Sequence, residues 1–110
     1  MIPDPAPPYE LDLSGSLKDR VRQMIDRADL LGAGTSVRNS IAEILRSLIH
    51  EPREWGDPIH NLRHAKLVEY HGRCGDFLVV YAVHDRIPMV FMNEIIPLPN
   101  NPLFGQSFDD

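Results

Sequence analysis

Along the chain the spacing of hydrophobic side chains changes from two, to three and four, and back to two. Tyr9-Glu10-Leu11-Asp12-Leu13 alternates apolar and acidic residues. That is the pattern of a half-exposed edge strand with Tyr9, Leu11 and Leu13 turned inward. Leu17, Val21, Met24, Ile25, Ala28 and Leu31 recur at helical spacing, which predicts an amphipathic helix of about 15 residues. Ser16 with Asp19 is the expected N-cap and first-turn acid, and Gly32-Ala33-Gly34 the stop. Thr35-Ser36 is expected to cap a second helix, whose stripe is Val37, Ile41, Ile44, Leu45, Leu48 and Ile49 and which ends before Pro52. Two such helices joined by a tight glycine turn predict an antiparallel hairpin whose stripes need a surface to cover.

The last third of the chain supplies that surface. Residues 77–83 are all apolar or aromatic, bounded by Gly75-Asp76 and Asp85-Arg86. So short a run is a strand, and being apolar on both faces it belongs in the middle of a sheet. Val79, Tyr81 and Val83 then point one way, and Leu78, Val80 and Ala82 the other. Residues 67–71, across the turn Gly72-Arg73-Cys74-Gly75, and residues 89–98, across Asp85-Arg86-Ile87-Pro88, are its antiparallel neighbours. Residues 51–62 read as a loop of turn formers anchored by Trp55, the sole tryptophan, whose bulk suits a plug at one end of the core. The order β-α-α-β-β-β predicts an α+β fold, a helical hairpin on one face of an antiparallel sheet, with the first strand free to join either side of the meander. Four prolines make residues 1–8 a stiff extended lead. Residues 9–98 form the single domain, and residues 99–110 an irregular tail.

Composition adds exclusions. The 110 residues suit one domain, and 43% hydrophobic with 25% charged residues is ordinary for a soluble globular protein. No apolar run approaches the roughly 20 residues needed to span a bilayer. The N-terminus carries no basic and apolar signal pattern. The single Cys74 has no partner for an internal disulfide, so a cytoplasmic location is expected. The net charge of −5 is accounted for by Asp4, Glu10, Asp12, Asp109 and Asp110, which leaves the rest balanced. A chain built on phosphate neutralisation shows a basic excess, and this one does not.

Candidate chemistry is sparse. His60 and His64 are four apart, but no general-base Glu and no third ligand stand at a suitable distance. Neither a metal site nor a cofactor is expected. Arg63, His64, Lys66, Tyr70, His71 and Arg73 form the densest basic stretch. It reads either as a shallow anion- or RNA-contacting face using Lys66, Tyr70 and Arg73, or as a mixed, solvated edge diluted by Glu69. Alternation puts Lys66, Val68 and Tyr70 on one face, with Leu67, Glu69 and His71 on the other. His84 beside Asp85 is a general-base candidate, with Arg63 and Lys66 as the other weak catalytic candidates. Cys74 is expected in an exposed turn at the far end of the strand from His84, too distant to pair with it. Residues 89–98 carry more apolar surface than one face against two helices consumes, with Phe91 and Met92 as contact residues. The surplus is covered either by a partner or by the tail, through Leu103, Phe104 and Phe108.

This pattern resembles the RelE/ParE superfamily of bacterial toxins over residues 9–98. Gly75-Asp76-Phe77-Leu78-Val79-Val80-Tyr81 fits the family's Gly-Asp-Tyr-Arg-aliphatic-aliphatic-Tyr run. Arg63 and Lys66-Leu67 lie where its basic strand would, and Met89-Val90-Phe91-Met92-Asn93-Glu94-Ile95 is similar to the strand that follows. Leu78, however, stands where the family often has arginine, and Pro97-Leu98-Pro99-Asn100 replaces its terminal His-Arg and Tyr. In members that cut messenger RNA on the ribosome, those missing groups supply charge stabilisation and acid–base chemistry. The resemblance therefore implies a RelE-like toxin-related protein of a toxin–antitoxin module that lacks messenger RNA cleavage. A non-catalytic interaction domain on the same scaffold and a gyrase-targeting toxin are the other readings. Implied partners are an antitoxin helix or strand, or a second copy, on the open face of the sheet. Ribosome, RNA or gyrase contact comes after these, and no membrane is involved.

Overall fold

The computed structural model describes residues 8–106. The lead over residues 1–7, and Phe108 in the tail, lie outside them. In chain order the elements are β1 (Glu10–Leu13), α1 (Gly15–Leu30), α2 (Gly34–His50), the single-turn α3 (Pro52–Trp55), β2 (Asp57–Leu62), β3 (Leu67–Cys74), β4 (Phe77–His84) and β5 (Met89–Pro97). A 3₁₀ turn, Arg63–Ala65, links β2 to β3.

The helical hairpin forms from local signals. Ser14, in extended backbone, accepts a hydrogen bond from the Leu17 N–H, so it caps α1 in place of Ser16. At the other end Gly32 takes φ +75°. The Ala33 N–H reaches back to the Ala28 carbonyl and the Gly32 N–H to that of Asp29, a Schellman ending that turns the chain directly into α2. Thr35 and Ser36 therefore lie inside α2, whose N-cap is Ala33 without a side-chain bond. Arg38 grips Asp29 through two bonds of 2.8 and 2.6 Å across the hairpin.

The fold is α+β with a mixed five-stranded sheet in the order β1-β5-β4-β3-β2. β1 runs parallel to β5, and every other pair is antiparallel. Two expectations are thereby corrected. The sheet is not wholly antiparallel, and residues 57–62, read as loop, form a strand on the flank of β3. The β3–β4 turn is also shorter than expected. β3 runs on to Cys74, and only Gly75-Asp76 connects it to β4. Gly75 takes φ +56°, the positive φ that the first residue of such a two-residue loop adopts.

The core lies between the hairpin and one face of the sheet. Leu17, Met24 and Ala28 of α1, with Val37, Ile41, Ile44 and Leu48 of α2, meet Phe77, Val79, Tyr81 and Val83 of β4. On β5 strict alternation fails. Val80 pairs with Glu94 and Tyr81 with Met92, so Asn93 is an extra, bulged residue. The bulge shifts the parity: Val90, Met92 and Ile95 all face the core. Phe91, Glu94 and Ile96 register with the outward positions of β4.

α3 seats its tryptophan on the core side of β3. Trp55 stacks on Tyr81 at 5.6 Å between ring centroids, and Tyr81 on Tyr70 at 5.3 Å. A Cβ at Gly72 would stand 2.5 Å from the Trp55 ring, so only glycine admits the indole there. Gly72→Ala is expected to destabilise the protein by about 1–3 kcal/mol through overpacking, read as a lower urea midpoint.

The tail closes the helix side of the core, not the open face. Leu103 is fully buried in the core cluster, while Phe104 remains 54% exposed. Asn101 donates to the Asp76 carbonyl at 3.0 Å and accepts from the Leu103 N–H at 2.9 Å. The Leu98 N–H bonds the same Asp76 carbonyl.

Candidate binding face

Opposite the helices, the sheet presents a face that no described element covers. Its centre is built by alternation on β4, which turns Leu78, Val80 and Ala82 away from the core. Register places Ile96, Glu94 and Phe91 of β5 beside these three. On the other flank stand Arg73, His71 and Glu69 of β3. β1 pairs Leu11 and Leu13 with the buried Val90 and Met92, so Glu10 and Asp12 fall on the open side. Asp57 of β2 joins them by pairing with His71.

The result is an apolar floor between two acidic margins. Val80, Leu78 and Phe91 are half-buried and Ala82 is buried. Glu10 and Asp12 line the β1 side, Glu69 and Asp57 the other, and Glu94 lies on β5 beside Val80. Arg73 is the one arginine or lysine among the β1 to β5 residues that register on this face, and the histidines there are His60, His71 and His84. His71 lies 3.9 Å from the Glu69 carboxylate.

The basic stretch seen in the sequence is divided along the sheet. Arg63, His64 and Lys66 sit in the connection at one end, whereas Arg73 lies near the other, opposite Leu78. Lys66 takes the left-handed conformation, φ 56°, and its carbonyl accepts from the Asp85 N–H at 2.9 Å. That bond ties the β2–β3 connection to the β4–β5 turn carrying Arg86. Arg53 reaches the same end, donating to the His84 carbonyl at 2.8 Å and to the Tyr9 hydroxyl at 3.2 Å. Arg63, Lys66 and His84 are thus brought together, with Arg53 and Arg86 as cations the sequence reading missed.

Several candidates have structural work instead. Tyr70, 7% exposed, and Met92, 3% exposed, lie in the core and are corrected from contact residues to packing residues. Val68 joins Tyr70 on that side, partly buried against the core. His84 Nδ1 accepts from the Arg86 and Ile87 N–H groups at 3.0 and 3.2 Å. A neutral ring so engaged carries its proton on Nε2. Asp85 faces the engaged nitrogen at 3.8 Å, so this imidazole caps a turn and offers no free base. Cys74 is half-buried at the end of β3, its thiol donating to the Ser40 carbonyl at 3.7 Å, and burial raises its pKa. That corrects the exposed, oxidisable turn cysteine. His60 stands on β2 and His64 in the 3₁₀ turn, both exposed. Among the described residues no group of three or more His, Cys, Asp or Glu is arranged to hold a metal. No helix there is long and apolar enough to cross a membrane.

The missed features share a cause. Glu10, Asp12, Asp57, Glu69 and Glu94 are scattered over four strands, and only the pairing register gathers them. No protein-family model matches the chain, and no curated protein matches it.

Proposed function

We propose that this is a RelE/ParE-like, toxin-related protein that works by docking a polypeptide on the open face of its sheet and does not cleave messenger RNA. The family part rests on the helical hairpin laid on one face of the sheet and on Gly75-Asp76 at the head of the central strand. The observation that carries the functional part is the chemistry of the open face. Where the family resemblance would put an arginine, Leu78 lies beside Ile96 and Arg73. Cleavage through a phosphorane needs cations aimed at the developing charge, an effect worth about 3–4 kcal/mol per oriented donor. Arg73 alone, on a face with five carboxylates, does not supply such a set. An apolar floor of this kind marks a protein contact.

Primer extension on ribosome-bound messenger RNA tests the reading. Purified protein is expected to leave the pattern of stops unchanged from a control without protein. Codon-specific cuts that vanish in the Arg63→Ala, Lys66→Ala or Arg73→Ala variants would overturn it.

A further inference from the structure

The docking reading above leaves open what the face receives, and the charge pattern narrows it. We infer that the occupant is a cationic amphipathic helix of another polypeptide, lying along β4 and β5 with its apolar stripe on Leu78, Val80, Phe91 and Ile96.

Three observations converge on this. Leu78, Val80 and Phe91 are half-buried and Ile96 is exposed on this face, which asks for an apolar stripe. Glu10 and Asp12 stand on the β1 flank, Glu94 lies on β5 beside Val80, and Glu69 and Asp57 stand on the other flank against Arg73 alone. The excess charge facing the occupant is acidic, so its polar positions must be basic. The spacing suits a helix. From β1 to β3 there are three strand intervals, about 14 Å at ~4.8 Å each. A helix with its side chains is about 10–12 Å across, so one seated over β4 and β5 brings lysines or arginines on both flanks within reach of both acidic rows. A second copy is disfavoured because face-to-face pairing would set like charges against each other. Nucleic acid is disfavoured for the same reason, since its phosphates carry the sign of the margins.

The experiment uses the full chain, ¹⁵N-labelled, titrated with two synthetic amphipathic peptides of about 18 residues, ~27 Å as a helix. One is built from Leu and Lys and the other from Leu and Glu. The Leu/Lys peptide is expected to shift amides of β4, β5 and β1 and to bind at least tenfold more tightly, with about a tenfold loss between ~50 and ~300 mM salt as screening grows. The double variant Asp12→Asn, Glu94→Gln is expected to weaken it about fivefold, with thermal unfolding unchanged because both side chains are exposed. Equal or tighter binding of the Leu/Glu peptide would overturn the charge inference while leaving docking intact. If neither peptide perturbs these amides, the docking reading itself fails. Shifts centred on the Arg53, Arg63, Lys66 and Arg86 end, or a dimer through this face in light scattering, would overturn the inference as well.

Discussion

Truncation after Pro99 is expected to remove about 3–5 kcal/mol, a large part of a small domain's stability. Residues 100–106, the described part of the deleted segment, carry only turns, yet Leu103 is fully buried among residues of both helices and the sheet. Its loss opens a cavity lined by apolar side chains, and Leu103→Ala alone should cost about 2–5 kcal/mol. Asn101 goes with it, and the Asp76 carbonyl loses one of its two donors at the β3–β4 turn. Urea unfolding followed by Trp55 fluorescence measures the change. A truncated protein with the full-length midpoint would show that the tail rests on the core without supporting it. Because the tail closes the helix side, the loss of stability says nothing against a partner on the opposite face.

Tyr81→Phe is expected to cost about 2–3 kcal/mol although the ring is kept. Tyr81 is wholly buried, and its hydroxyl donates to the Pro52 carbonyl at 2.6 Å and accepts from the Gly56 N–H at 2.9 Å. Removing that oxygen leaves two backbone groups at the ends of α3 without their partner, the costly case for a hydrogen bond. Burial raises the phenol pKa above its ordinary 10.0, only partly offset by the bond from Gly56. The folded protein thus keeps a proton that the unfolded chain releases, so stability falls as the pH climbs past 10.0. Urea midpoints taken from about pH 9 to 11 should decline in the wild type and decline less in Tyr81→Phe. Equal slopes would mean that Tyr81 is not the group responsible.

Elements whose side chains carry their own period are legible in the sequence. The stripes of α1 and α2 and the two-sided apolar run of β4 each fix an element and a face. β2 has no such period, because every residue from Asp57 to Leu62 is exposed. It is a strand because β3 offers it an edge, and that reason lies outside its own residues. The bulge at Asn93 is silent in the same way. Reading residues 89–98 by twos puts Val90, Met92, Glu94, Ile96 and Leu98 on one side, and only pairing with β4 reveals that Ile95, not Glu94, turns inward. The sequence places the helix starts two or three residues late, since Ser14 and Ser16 are chemically equivalent caps until the backbone chooses, and Ala33 caps α2 with no side-chain signal at all. The basic stretch was legible as composition but not as a place. Its members follow the strand direction and end up at opposite ends of the sheet.

The parallel pairing of β1 with β5 has a kinetic consequence. Glu10 finds its partner in Met89, so β1 leaves the ribosome ahead of the other described strands and waits for β5 before its ladder can form. β2, β3, β4 and β5 are joined by short connections and assemble through near-neighbour contacts, which form early. β1 instead bears the entropy of closing the longest loop between paired strands among the described residues and gains only a four-residue ladder for it. It is held at its root by the Tyr9 N–H on the Ile49 carbonyl and by Arg53 on the Tyr9 hydroxyl, contacts that exist only once α2 and α3 are in place. β1 is therefore expected to dock after the other described strands, and Glu10 and Asp12 to reach the open face of the sheet only in that step.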